Sequence, residues 1–139
     1  MSATTPESVA DGTSFPQTIL LIEDDAPVSR FVSAAFRLEG FKVVTTATGA
    51  AGLASARQEI PRLILLDIML PEMNGLDVLR HLKADAATAA IPVIVLTASA
   101  ATAVERDALA MGATAFLRKP IAAGDLVSAA RAVLVPTHD

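Results

Sequence analysis

The sequence predicts an α/β protein, a three-layer α/β/α sandwich built on an open parallel sheet. Three observations carry this. Short apolar runs alternate regularly with segments of helical periodicity, and a helix between successive strands lets neighbours run parallel. Most of the runs are apolar at every position rather than at alternate ones, as suits strands covered on both faces. Gly40 and Gly112 stand where the first and fourth helical patterns stop, as suits left-handed C-terminal residues. At 139 residues the chain has room for one domain with a real core.

The elements follow in order. Residues 1–17 are rich in Ser, Thr, Pro and Gly without periodicity and are expected to be a flexible N-terminal tail. The first strand is "TILLI", 18–22, followed by a helix whose stripe reads Val28, Phe31, Val32, Ala35 and Leu38. "FKVVT", 41–45, is a more polar second strand; Leu53, Ala56 and Ile60 mark the second helix. "LILL", 63–66, precedes a helix with Leu76, Leu79 and Leu82. "PVIVL", 92–96, precedes one with Val104, Ala108 and Met111. "TAFL", 114–117, precedes the last, with Leu126, Ala129, Ala130 and Val133. The domain is expected over 18–135, with a short tail at 136–139 and neither a second domain nor an internal repeat.

Composition excludes several classes. Without cysteine there is no disulfide, thiol nucleophile or Cys-based zinc site, and His81 and His138 are too separated for a histidine metal cage. Any metal must be a hard ion held by oxygen. A net charge of −4 argues against a broad nucleic-acid or anionic-membrane surface. Residues 86–104 lack charges over about the length of a membrane span, but Pro92 interrupts them and only Ile91 to Leu96 is strongly apolar. No membrane insertion is expected. The N-terminus lacks a basic segment followed by an apolar one, so it does not read as a secretory signal, which leaves a cytoplasmic location.

In an open parallel sheet, chemistry collects at the carboxyl ends of the strands. Here those ends carry Glu23, Asp24 and Asp25 after the first strand, Asp67 after the third, Thr97 after the fourth, and Arg118, Lys119 and Pro120 after the fifth. Carboxylates gathered closely repel one another until a proton or a hard cation intervenes. Too few side chains are present for a calcium cage, whereas Mg²⁺ accepts one or two carboxylates with waters and phosphate oxygens; Mn²⁺ is the alternative. A neighbouring ammonium and hydroxyl suit phosphoryl oxygens, and Asp67 can then act as a nucleophile and form an acyl phosphate.

The motifs "LIEDD", "LLDIMLPEMNG", "VLTAS" and "LRKP", in that order at the strand ends, resemble the receiver domain of two-component response regulators. The resemblance spans residues 18–134 and implies a flavodoxin-like (βα)5 fold with strand order 2-1-3-4-5. It implies Asp67 as phosphoacceptor, and Mg²⁺ held by Asp24, by Glu23 through water, by Asp67 and by the backbone carbonyl of Met69. It also implies that Thr97 and Lys119 face the phosphoryl group, that Phe116 is the switch aromatic, and that Pro120 follows a cis peptide. The implied partners are a histidine kinase or histidine phosphotransfer protein of a phosphorelay and a target protein, the latter read through the face formed by the fourth helix, fifth strand and fifth helix. A protein of this kind assists its own modification without turning over a separate substrate. It is either a stand-alone switch or a receiver excised from a longer chain.

The sequence departs from the commonest pattern of that family at Asn74, where Asp is frequent, at Phe116, often Tyr, and at Ile121, often Phe. Bland roles compete for some residues: Asp25 is expected to cap the first helix, Arg118 to be solvated or to meet a partner, and His81 to be an exposed helix residue. Rival functions are weaker. A phosphohydrolase of the haloacid dehalogenase type needs an acid/base Asp where Met69 stands. An FMN binder needs a phosphate-cradling loop after the first strand. A receiver-like interaction module that is never phosphorylated would have no use for the full set of site residues.

Overall fold

A computed structural model describes residues 17–98 and 102–134. The expected tails at 1–17 (save Gln17) and 136–139 lie outside the described residues, as do 99–101 of the loop after the fourth strand. Strands and helices alternate: β1 Thr18–Ile22, α1 Ala26–Leu38, β2 Lys42–Thr46, α2 Gly49–Glu59, β3 Leu63–Asp67, α3 Gly75–Ala84, β4 Val93–Thr97, α4 Thr102–Ala110, β5 Ala115–Arg118 and α5 Ala123–Leu134. All pairings are parallel, in the order β2-β1-β3-β4-β5. This is the flavodoxin-like order 2-1-3-4-5.

The central strands are buried on both faces, which is why their sequences do not alternate. β3 and β4 are buried throughout, and β1 from Ile19 on. On one side Ile19, Leu21, Leu65 and Ile94 pack against Val32 and Phe36 of α1 and Leu126 of α5. On the other, Leu20, Ile22, Leu66 and Val95 meet α2, α3 and α4 through Ala56, Leu79 and Ala108. The more polar β2 is an edge strand, and so is β5, whose apolar residues are only half buried.

Two helices depart from the expected apolar stripes. In α1 the buried residues are Val32, Ser33 and Phe36, the last meeting the Phe41 ring edge-on at 5.7 Å, whereas Phe31 and Leu38 are exposed. Its apolar residues thus form two stripes, and only one faces the sheet. In α2 the buried positions are Gly49, Gly52 and Ala56. Ile60, expected in the helical stripe, lies beyond the helix with φ of 43° and is exposed, because Pro61 disfavours the right-handed α region at the preceding residue. Gly40 and Gly112 have φ of 93° and 110°, as expected of left-handed helix ends. The uncharged stretch 86–104 contains turn, all of β4 and the start of α4, and among the described residues no helix is long and apolar enough to cross a membrane.

Candidate functional site

Strand register brings the acidic residues together. Ile22 is level with Leu66 across the β1–β3 pair, so Glu23, one residue on, comes abreast of Asp67. Thr97 is level with Arg118 across β4–β5, so Lys119 follows directly above it, and its N–H donates to the Thr97 carbonyl at 2.8 Å. Glu23, Asp24 and Asp67 each offer a carboxylate oxygen, all within 4.8 Å of one another; Glu23 and Asp67 are buried and Asp24 is exposed.

The ammonium of Lys119 enters this group unevenly. Its Nζ donates to Glu23 Oε1 at 2.7 Å and stands 3.5 Å from Asp67 Oδ2. Burial pulls the Lys119 pKa down, but its hydrogen bond to Glu23 and the charges of Asp67 and Glu23 outweigh it and hold it above the ordinary 10.5. Burial pushes Glu23 above its usual 4.5, and the neighbouring Asp67 adds to the rise against the pull of Lys119. One ammonium does not neutralise three carboxylates. An oxygen-only donor set with surplus negative charge fits a hard divalent cation, with Glu23, Asp24 and Asp67 as the side chains that would hold it.

Local structure keeps these groups in place. Asp25 caps α1 as expected, its carboxylate accepting from Val28 N–H at 3.1 Å, while its own N–H donates to Glu23 Oε2 at 3.2 Å. Asp67 Oδ1 accepts from Met69 N–H at 3.0 Å, and the Met69 side chain points out to solvent. Asn74 caps α3 by accepting from Leu76 N–H at 2.7 Å, so Asn serves the turn well. Gly75 closes the β3–α3 loop onto Ile68, donating to the Ile68 carbonyl at 3.0 Å; a Cβ there would sit 2.4 Å from Ile68 Cα. Glu72 in the same loop has φ of 67°.

The other expected residues lie nearby in differing degrees. Thr97 is fully buried at the end of β4, one residue beyond the partner of Asp67. Phe116 is away from the carboxylates, half buried on β5 opposite Val95. The Lys119–Pro120 peptide is cis. His81 is exposed, as expected. Arg118 is not merely solvated: it donates to Glu105 of α4 at 2.7 Å and its guanidinium lies over the Phe116 ring. Sequence reasoning missed that link, although the alternation of a strand, which sets 116 and 118 on one face, was a signal for it.

A βα sheet in this order with a carboxylate and lysine cluster at its carboxyl edge defines a receiver, and the chain belongs to the response regulator receiver domain family, whose model matches residues 19–131. The DNA-binding response regulator MtrA of Mycobacterium tuberculosis is 38% identical over 123 residues, covering 88% of this chain and 53% of that protein. The phosphate regulon transcriptional regulatory protein PhoB of Pseudomonas aeruginosa is 34% identical over 118 residues, covering 85% of this chain and 52% of its own length. The chain therefore spans about half the length of these curated relatives. Among solved structures, a CheY-like response regulator receiver domain protein from Methanospirillum hungatei superposes with a TM-score of 0.81 at 28% identity, over 86% of this chain and 94% of that one.

Proposed function

We propose that this receiver is a phosphorylation-dependent signalling switch in which Asp67 accepts a phosphoryl group from phosphohistidine. The observation that carries the reading is the placement of one ammonium, Lys119 Nζ, between Glu23 and Asp67 at the rim of the sheet. A carboxylate oxygen of Asp67 attacks phosphorus, the P–O bond forms as the P–N bond breaks, and the imidazole leaves with the electron pair and takes up a proton. Mg²⁺, when bound, supplies charge neutralisation for the transferring phosphoryl oxygens. Lys119 exchanges its Glu23 contact for a phosphoryl oxygen, Met69 N–H keeps the acceptor carboxylate oriented, and Thr97 donates its hydroxyl to the new phosphoryl group. Burial of Glu23 and Asp67 keeps these interactions in a medium where they are stronger than in bulk water.

The donor is a histidine kinase or histidine phosphotransfer protein, and the location is cytoplasmic. An apolar cleft of about 500 Å³ lies beside the site, walled by Phe31, Pro120, Ile121 and Leu126 with Lys119 at its edge, and it offers a surface for the histidine-bearing partner. Phosphorylation biases a two-state element that includes Thr97 and Phe116, and a target protein reads the α4–β5–α5 face. There is no separate substrate turnover.

The test is incubation with Mg²⁺ and a small acyl phosphate donor. An acid-stable, base-labile mass increase of one phosphoryl group is expected on the wild-type chain and absent from Asp67→Asn. A label that persists in Asp67→Asn refutes the acceptor assignment.

A further inference from the structure

We propose that Arg118 is a positioning residue that holds the switch aromatic Phe116 in its half-buried state by tethering it to Glu105 of α4. The inference rests on the reading above, that phosphorylation at Asp67 is relayed through Phe116.

Residues 116 and 118 lie on one face of β5, level with Val95 and Thr97 of β4. That face is covered by α4, where Val104 and Phe116 pack against a cluster containing Val95 and Ala108. Over it folds the Arg118 side chain, with Cζ 5.3 Å from the centroid of the Phe116 ring, inside the range of a cation–π contact. The same guanidinium donates through Nη2 to Glu105 Oε1 at 2.7 Å, in the first turn of α4. One cation is therefore pinned by a helix carboxylate while it lies over a strand aromatic, a pair of contacts that the several donors and broad delocalised head of arginine make together more readily than the point charge of lysine.

The position matters because of its neighbours. Arg118 is one peptide from Lys119 and level with Thr97, the two residues that would meet the phosphoryl group. Phenylalanine has no hydroxyl with which to fix an outward state, and here the ring is fixed from above by the guanidinium instead. If the ring turns inward toward Thr97 it leaves a cation that Glu105 keeps at the surface. The contact therefore favours the half-buried state alone and biases the equilibrium against the phosphorylated one. By linkage, loss of the tether favours the inward ring even without phosphate.

The full chain is labelled with fluorinated phenylalanine; it contains five Phe residues, and Phe116→Leu identifies the resonance of interest. The readout is the water-to-deuterium-oxide isotope shift of that resonance in unphosphorylated protein, which reports exposure of the ring. Arg118→Gln and Glu105→Gln are each expected to make the ring less exposed, with about a fivefold shift in the state ratio for the arginine variant, and the double variant is expected to add little. Arg118→Lys is expected to fall in between. A passive cover gives the opposite sign, since removing it exposes the ring. Unchanged or increased exposure in Arg118→Gln overturns the proposal. If that occurs while the wild type is still labelled at Asp67, the tether is wrong and the acceptor assignment stands; if the ring turns inward but the wild type takes no label, the tether stands and the acceptor assignment fails.

Discussion

Replacing Gly75 by alanine tests how the loop after Asp67 is held. A Cβ at this position would lie 2.4 Å from Ile68 Cα, 2.7 Å from its carbonyl oxygen and 2.8 Å from its carbonyl carbon, whereas ordinary van der Waals contact begins at 3.4 Å. All three atoms are backbone, so no side chain can rotate away, and the Ile68 segment must retreat by about 1 Å. Overpacking of this kind costs roughly 1–3 kcal/mol. Stretching the Gly75 N–H to Ile68 carbonyl bond adds about 1 kcal/mol, and the better helix propensity of alanine returns at most about 1 kcal/mol. The expected net loss is about 1–3 kcal/mol in urea denaturation. Gly124→Ala is the control: it lies inside α5 with nothing within 4 Å of the added atom, and it is expected to stabilise by about 0.5–1 kcal/mol. The functional effect follows from the same movement. Asp67 is oriented by Met69 N–H, next to Ile68, and with Asp67 as the proposed acceptor a displacement of about 1 Å is expected to lower phosphoryl uptake by as much as about 100-fold. If Gly75→Ala unfolds within about 0.5 kcal/mol of wild type, the close approach of the two backbones does not hold the loop and the reasoning is wrong.

Two further outcomes are expected. Glu23 is a carboxylate whose folded pKa is raised by burial, so between its ordinary value of 4.5 and the higher folded value the folded state binds more protons than the unfolded one, and stability falls as pH rises through that window. In metal-free buffer Glu23→Gln should therefore flatten the fall and melt higher than wild type at neutral pH; a lower melting temperature at pH 7 would show that the Lys119 contact outweighs burial. Lys83 fastens the turn before β4, donating from Nζ to the carbonyls of Ala89 at 3.1 Å and Ile91 at 2.9 Å. Lys83→Met is expected to lose about 1–3 kcal/mol and to speed amide exchange at Ala89 to Ile91, with Asp67 labelling unaffected; unchanged exchange there would remove the lysine from that role.

The parallel sheet and the composition of its carboxyl edge were legible in the sequence because both are written in local order. An apolar run of strand length followed by a helical period leaves few arrangements, and Glu23, Asp24, Asp67, Thr97 and Lys119 each stand at a strand end that can be recognised without coordinates. Capping by Asp25 is equally local, since the carboxylate and the N–H it accepts from are three residues apart. The buried faces of α1 and α2 were less legible. A helix with two apolar stripes gives no local indication of which one meets the sheet, and Gly49 and Gly52 leave no apolar signal although the approach of α2 to Val78 and Met73 at Gly49 and to Ile22 at Gly52 leaves no room for larger residues.

What the chain encodes by itself is the alternation, the strand-end chemistry and the glycine that lets the loop after Asp67 close. Only the tertiary structure decided that Lys119 lies closer to Glu23 than to Asp67, that Glu23 is buried while Asp24 is exposed, and that Arg118 joins Phe116 to Glu105. The reason is physical. Distances between side chains on different strands follow from register and from the packing of helices on each face, which depend on all the residues that fill the core together, whereas periodicity and capping depend on a few neighbours along the chain.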